Sequence, residues 1–332
     1  MIKKILIAIV ALVCIGAIGL GAFAYVNGLE ISEIINGIIS HFDGTPDTVD
    51  FEVTVNDTLP DGEGKKVTVI LLGGQSNASG CSSDEYLKNN VSAEQYDEYN
   101  NGYDNVYINY YVTGSNISNG FVRCGARQGE AGTHFGPELG IADKLNEEYP
   151  DRTFFIIKCA WGGTNLYDQW RSPSSIGETG DLYLSFVKFV NASLEYLESK
   201  NYDVEIEAMC WMQGESDSFS KIIAENYEKN LTAFIADIRS EFEEYSAPDG
   251  IAFIDAYISD SQYWVNYAIV NESKQAVADS SPMNAVIDTI SAGLTYKDEP
   301  VGTPDLAHYD SLSQIKLGHL FAEAITPYLE DK

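Results

Sequence analysis

Six short apolar runs, at positions 67–72, 105–112, 153–160, 204–212, 250–258 and 283–290, constrain the fold of this chain more than any other feature. A strand with one wet face alternates apolar and polar residues, whereas runs as unbroken as most of these suit strands covered on both sides. Between them lie segments with helical spacing. Leu182, Phe186, Phe189, Val190, Leu194 and Leu197 recur at three- and four-residue steps, and so do Ile223, Tyr227, Leu231, Phe234, Ile235, Ile238 and Phe242. Each set forms one apolar stripe along a long helix. Residues 137–149 and 311–328 read as two further helices, the second opened by a Ser311/Gln314 capping box. Strand and helix alternate. This predicts an α/β three-layer sandwich with a mainly parallel central sheet and right-handed crossovers.

The first 66 residues read differently. Lys3 and Lys4 precede an uncharged run over 5–26, which is the pattern of a secretory signal, and Ala22-Phe23-Ala24 offers a small-x-small cleavage site. The run is also long enough to span a bilayer, so residues 1–26 are expected to be either a signal peptide or an N-terminal membrane anchor. Cys14 in this run lacks the small preceding residue of a lipoprotein signal. Residues 27–66, a mixture of Gly, Asp, Thr and Pro with short apolar pieces, read as a stalk, leaving 67–332 as the folded domain. The expected location is extracellular, secreted or held on the outer face of the membrane, with the membrane a partner only through the N-terminal segment.

A formal net charge of −30 over 332 residues, with no basic stripe, argues against a nucleic-acid partner. Cys159 and Cys210 fall in apolar runs and read as buried free thiols. Cys81 and Cys124 lie in polar, loop-like sequence and are the pair expected to bridge if any does. There is no C-x-x-C and no cluster of His and Cys ligands, so no metal and no cofactor are expected.

Ligands of such sheets bind beyond the carboxyl ends of the strands, and three of these ends are unusual. After Leu72 comes Gly73-Gly74-Gln75-Ser76-Asn77-Ala78-Ser79-Gly80, where glycines permit a sharp strand-to-helix turn that presents a serine hydroxyl. After Ala160 comes Trp161-Gly162-Gly163-Thr164-Asn165, whose paired glycines can offer a backbone N–H to an oxyanion. After Met212 comes Gln213-Gly214-Glu215-Ser216-Asp217, with a side-chain amide at the strand end. Each block alone is compatible with an ordinary turn. Glu215 and Asp217 can be taken as an acid/base pair, but loop carboxylates that bond backbone N–H groups are the preferred reading. A serine nucleophile needs a base, and the chain has four histidines. His41 lies in the stalk, His134 precedes a Phe135-Gly136-Pro137 turn, and His319 falls inside the last helix as a structural histidine. His308 follows Asp305 by three residues in a loop, close enough for the carboxylate to hold the imidazole's tautomer.

The order Gly-Gln-Ser-Asn, Gly-Gly-Thr, Trp-Met-Gln-Gly-Glu-Ser-Asp and Asp-x-x-His resembles the SGNH-type hydrolases, and more closely their sialate O-acetylesterase / acetylxylan esterase group, carbohydrate esterase family 6. Phe135-Gly136-Pro137-Glu138 resembles that group's Gly-Pro-Glu segment, and the likeness runs from about Val67 to Leu329. It implies a flavodoxin-like SGNH fold and a serine esterase that removes acetyl groups from carbohydrate through an acyl-enzyme. Ser76 would be the nucleophile, His308 the base and Asp305 its orienting partner. The oxyanion hole would be the N–H of Ser76, the N–H of Gly163 or Gly162, and the amide of Gln213. The wider SGNH pattern has Asn in the third block, so the Gln selects the subgroup. Acetylated xylan, O-acetyl sialic acid and acetylated peptidoglycan are the substrate readings. Gln75, Asn77, Glu215, Tyr167 and Trp170, with Tyr111, are candidates to line a sugar site, whereas Trp211, inside a strand, is expected to pack in the core. The alternative from another class is a catalytically silent cell-surface carbohydrate-binding protein with the same fold.

Overall fold

Six parallel strands, β1 (Lys66–Gly74), β2 (Val106–Val112), β3 (Phe154–Ala160), β4 (Asp203–Met212), β5 (Ala252–Ala256) and β6 (Asn284–Ile287), stand in the order β6-β5-β4-β1-β3-β2. Short antiparallel strands at Asn116–Ile117 and Val122–Arg123 pair with β2. The structure is a computed structural model that describes residues 53–113 and 116–329. All seven residues of β3 are buried, as are the last eight of β1 and the last seven of β4, as the unbroken apolar runs demanded. The principal helices are α1 (Ser76–Ser79), α2 (Glu138–Glu148), α3 (Asp181–Ser199), α4 (Tyr227–Glu241), α5 (Tyr267–Asp279) and α6 (Ser311–Ile325). The domain is an α/β three-layer sandwich with a mainly parallel sheet.

Aromatic packing explains why α3 and α4 sit where they do. Trp170 meets Trp211 edge-on with ring centroids 5.2 Å apart, Trp211 lies 4.6 Å from Phe234 of α4, and Trp170 lies 6.2 Å from Phe186 of α3. Such pairs add to the area buried, and Trp211 is a core residue as expected. Helices α2 and α6 approach much more closely. A Cβ added at Gly140 would lie 2.1 Å from the Ile315 carbonyl, and one at Gly318 would lie 2.2 Å from that of Pro137. Only glycine fits at this crossing, and it fixes α6 and the loop that leads into it.

Two helical expectations need correction. The long helix expected over 223–242 is broken at Asn226, whose Nδ2 donates back to Ile222 O (2.7 Å); a short turn, Lys221–Ala224, precedes α4. The break lets Tyr227 aim its hydroxyl at Gln213. The Ser311/Gln314 capping box does not form either. Ser311 instead gives both its N–H and its hydroxyl to the Glu299 carboxylate (2.7 Å each), and Gln314 Nε2 donates to Asn77 O (2.6 Å).

Cys81 and Cys124 are unpaired, as are Cys159 and Cys210. Cys124 lies in the core with its thiol directed at Glu138 O (3.4 Å), which is why a loop-like sequence misled the pairing. Residues from 53 to the start of β1, read as the end of a stalk, lie along the domain. Leu59 is buried, and Thr58 bonds Tyr196 and Phe121. The signal or anchor segment, Cys14 and His41 lie outside the described residues. Among the described residues no helix is long and apolar enough to cross a membrane.

Candidate active site

Strand register brings the three unusual loops together. Gly74 at the end of β1 stands level with Ala160 of β3 and Met212 of β4. The pairing continues past the strands, with Trp161 N donating to Gly74 O (3.0 Å) and Gln75 N to Met212 O (2.9 Å). The chain order around β1 reverses here, the topology at which α/β sheets open a crevice. Gly74 has φ +137°, and a Cβ there would lie 2.0 Å from Met212 O, so the turn that presents Ser76 requires glycine. Ser76 is the first residue of α1, with Gly80 N donating back to its carbonyl (2.8 Å).

Asn77, the next residue, reaches across to the far end of the chain. Its Oδ1 accepts from Tyr309 N (3.1 Å) and its Nδ2 donates to Ala307 O (3.4 Å), so one side chain grips the backbone on both sides of His308. Glu215 Oε1 accepts from the same Nδ2 (2.8 Å). Ser82 Oγ adds a bond to Tyr309 O (2.7 Å). His308 Nδ1 meets Asp305 Oδ2 at 2.6 Å, and Asp305 Oδ1 also accepts from Ala307 N (2.9 Å). The serine and the histidine, 232 positions from Asn77 to Tyr309 apart in sequence, thus share one strand-end rim. Ser76 Oγ and His308 make no hydrogen bond with each other; catalytic contacts of this kind commonly tighten only around substrate.

The donors sort themselves. Gly162 N–H is taken by Thr113 Oγ1 (2.6 Å). Gly163, at φ +70°, and Ser76 have backbone N–H groups with no acceptor among the described residues. Of the glycine pair, Gly163 is therefore the one able to serve an oxyanion. Gln213 does not fit the role expected of it. Its Nε2 donates to Asp217 Oδ2 (2.6 Å), Thr164 O (2.9 Å) and Gln75 Oε1 (3.1 Å), and its Oε1 accepts from Tyr227 OH (3.0 Å). An amide nitrogen has two hydrogens, and here both are committed inside a fully buried group. Gln213 is a strut that ties the three loops together.

The expected sugar-lining set also changes. Gln75 is buried, its Oε1 accepting from Gly214 N (3.3 Å) and Ser216 N (3.2 Å). Asn77 and Glu215 are buried in the clamp, and Trp170 is fully buried with its Nε1 on Thr164 Oγ1 (2.8 Å). These four are internal because each satisfies a polar group that the strand-end loops would otherwise bury unpaired. Tyr167 alone of the five is exposed, with Arg171 over its ring at 5.4 Å. Tyr111 is half-buried and packs on Trp161 at 5.1 Å. Asp217 holds the glycine loop by accepting from Leu166 N (2.9 Å) and Tyr167 N (3.1 Å); burial pushes its carboxyl up to about 6 against these donors.

Glu130 was not singled out by sequence, because it belongs to no motif. A Cβ added at Gly162 would lie 2.6 Å from Glu130 Oε1 and 3.5 Å from Ser76 Cβ, so this carboxylate stands close to Ser76. Ser79 Oγ donates to it, and its own N–H donates to Gly80 O (2.9 Å).

Burial pulls the His308 imidazole down, but Asp305, with Glu130 and Glu215 behind it, more than reverses this, and its pKa ends raised above the ordinary 6.5. A base must be neutral to take a proton. The acid limb of kcat/KM is therefore expected above pH 6.5, and Asp305→Asn should move it to lower pH while lowering the plateau. A pH–rate profile of both proteins checks this; a limb unmoved by Asp305→Asn would detach Asp305 from the base.

Comparisons with known proteins bear on the family and the fold. Residues 66–327 match the family described as carbohydrate esterase, sialic acid-specific acetylesterase. Among solved structures, a protein from Arabidopsis thaliana is 18% identical at a TM-score of 0.57, covering 82% of this chain and all 100% of its own. NanS is 17% identical at 0.54, covering 82% of this chain and 98% of its own. XAC1771, a carbohydrate acetylesterase from Xanthomonas citri, is 16% identical at 0.52, covering 78% of this chain and 56% of its own. No curated protein matches the chain. The chain belongs to the carbohydrate esterase family of sialic acid-specific acetylesterases, and its chemistry is ester hydrolysis on acetylated sugars.

Proposed function

We propose that this protein hydrolyses O-acetyl esters on carbohydrate by a serine-dependent acyl-enzyme route, outside the cell, released or held by residues 1–26. The observation that carries the catalytic reading is the grip of Asn77, neighbour of Ser76, on the backbone either side of His308. Ser76 Oγ attacks the acetyl carbonyl while His308 Nε2 takes the hydroxyl proton, and Asp305 steadies the imidazolium at Nδ1. The oxyanion is met by the N–H groups of Ser76 and Gly163, each donor worth about 3 kcal/mol of transition-state stabilisation. The carbon–oxygen bond to the sugar breaks, and His308 returns the proton to the departing alcohol. Water then attacks the acetyl-serine, giving its proton to His308, and acetate leaves as Ser76 recovers its hydrogen. Acetylated xylan and O-acetyl sialic acid are the substrates that sequence and family support.

A phosphonylating probe tests the nucleophile directly. Treated with a fluorophosphonate, the full chain is expected to gain one adduct, on the peptide containing Ser76, and to lose acetate release from acetylated xylan in the same proportion. An unlabelled, folded protein would favour the silent carbohydrate binder, and an adduct on another serine would mean that the nucleophile is not Ser76.

A further inference from the structure

We propose that Thr113 is a positioning residue of the oxyanion hole: by accepting the Gly162 N–H it locks the first peptide of the glycine pair and leaves the next N–H, on Gly163, to serve the oxyanion. The inference rests on the esterase reading above and adds a residue to its machinery. Sheet register brings Thr113 to this place. Val112, the last residue of β2, stands level with Ala160, the last of β3, so the next residue along the chain lies beside the loop that opens with Trp161. From there Thr113 Oγ1 accepts from Gly162 N at 2.6 Å. The segment is itself pinned, because Tyr111 and Val112 pair with Ile117 and Asn116, and Asn116 Nδ2 donates to Gly129 O (2.6 Å).

A glycine pair is the part of such a loop least able to hold itself. With no Cβ on either residue, the peptide between them can turn over at little cost, and its N–H would then point elsewhere. The neighbouring groups are already fixed. Trp161 N donates to Gly74 O (3.0 Å), Thr164 Oγ1 to Trp161 O (2.6 Å), and Gln213 Nε2 to Thr164 O (2.9 Å). Thr113 supplies the constraint at the first member of the pair. Threonine suits the task, since branching at Cβ restricts χ1 and holds the hydroxyl in place. The contact is close to the nucleophile, for a Cβ added at Gly162 would lie 3.4 Å from Thr113 Oγ1 and 3.5 Å from Ser76 Cβ. Thr113 thus acts through the glycine pair. Without its hydroxyl the Gly162 N–H is left unpaired, and nothing sets which way the next peptide faces.

The test compares Thr113→Val, which keeps the shape and removes the acceptor, with Thr113→Ser, which keeps the acceptor. Each is measured by kcat/KM on p-nitrophenyl acetate and by inhibition with trifluoroacetone. Ser76 Oγ adds to the carbonyl carbon of that ketone while the serine proton passes to His308, so the ketone oxygen becomes an oxyanion in the same hole. Thr113→Val is expected to lower kcat/KM by about tenfold to a hundredfold, short of the roughly 10²–10³ that loss of a donor costs, and to weaken trifluoroacetone by the same factor. Thr113→Ser, whose hydroxyl still accepts, should stay within about threefold of wild type on both. Urea unfolding checks the fold, and Thr113→Ala carries the same expectation as valine should the valine variant not fold. A folded variant lacking the hydroxyl that keeps full rate, one that loses rate with no matching loss of trifluoroacetone affinity, or a serine variant as slow as these overturns the proposal and leaves the esterase reading standing. Wild type that neither hydrolyses the ester nor binds the ketone overturns both.

Discussion

Alanine at His308 is expected to lower kcat by on the order of 10⁴, alanine at Ser76 by at least as much, and both together by no more than the larger single loss. In the proposed mechanism the two groups act as one machine. Without the imidazole the Ser76 hydroxyl keeps its proton and is a poor nucleophile; without the hydroxyl the imidazole has nothing to activate. What remains is the donation from Ser76 and Gly163 N–H groups, which either variant retains. His319 provides the control on the same kind of side chain. Its Nε2 meets Asp143 Oδ2 at 2.7 Å, and Asp143 Oδ1 accepts from Tyr103 OH at 2.7 Å, a partly exposed contact between α6 and α2. His319→Ala should leave kcat within a few-fold and cost about 1–2 kcal/mol of stability. Acetate release and urea unfolding of the four variants decide the matter. Full activity in His308→Ala together with a dead but folded His319→Ala would mean the base has been misassigned.

The sheet was legible because its signal is local. Each run of apolar residues states its own burial, and the loops at the ends of β1, β3 and β4 stood out by their glycines. That Gly74 has no room for a Cβ confirms why those glycines are there. What could not be read is which polar side chain faces which neighbour. Gln213 looked like an oxyanion donor by position, yet three acceptors from three loops claim its nitrogen. Trp170 looked like a sugar platform, yet the aromatic cluster with Trp211 and Phe186 takes it inward. Glu130 carried no signal at all, since its place depends on how Gly129 and Gly80 stack, with a Cβ at Gly129 only 2.3 Å from Gly80 O. Asn77 was read as a substrate contact, and its partners, Ala307 and Tyr309, lie more than two hundred residues away.

Lys158→Met is expected to destabilise the protein by about 3–5 kcal/mol, and adding Glu138→Leu to recover part of that loss. Lys158 sits inside β3 with no exposed surface, and its Nζ donates to Glu138 Oε2 (2.6 Å) and Gln128 O (3.0 Å). Glu138, also fully buried, opens α2, and its Oε1 accepts from Gly136 N (2.8 Å). The pair therefore joins the central sheet to the first turn of a helix and to the segment that carries Glu130. Removing only the lysine leaves a carboxylate stranded in the core, the costly half of a broken ion pair. Removing both charges relieves that penalty but orphans Gly136 N–H, at about 1–3 kcal/mol, so recovery should stop short of wild type. Urea unfolding of wild type, single and double variants measures the three stabilities. A double variant no more stable than the single would show that the stranded charge is not what costs the energy. In that case the lysine's two bonds, rather than its neutralisation of Glu138, are what hold α2 and the 128–136 segment to β3.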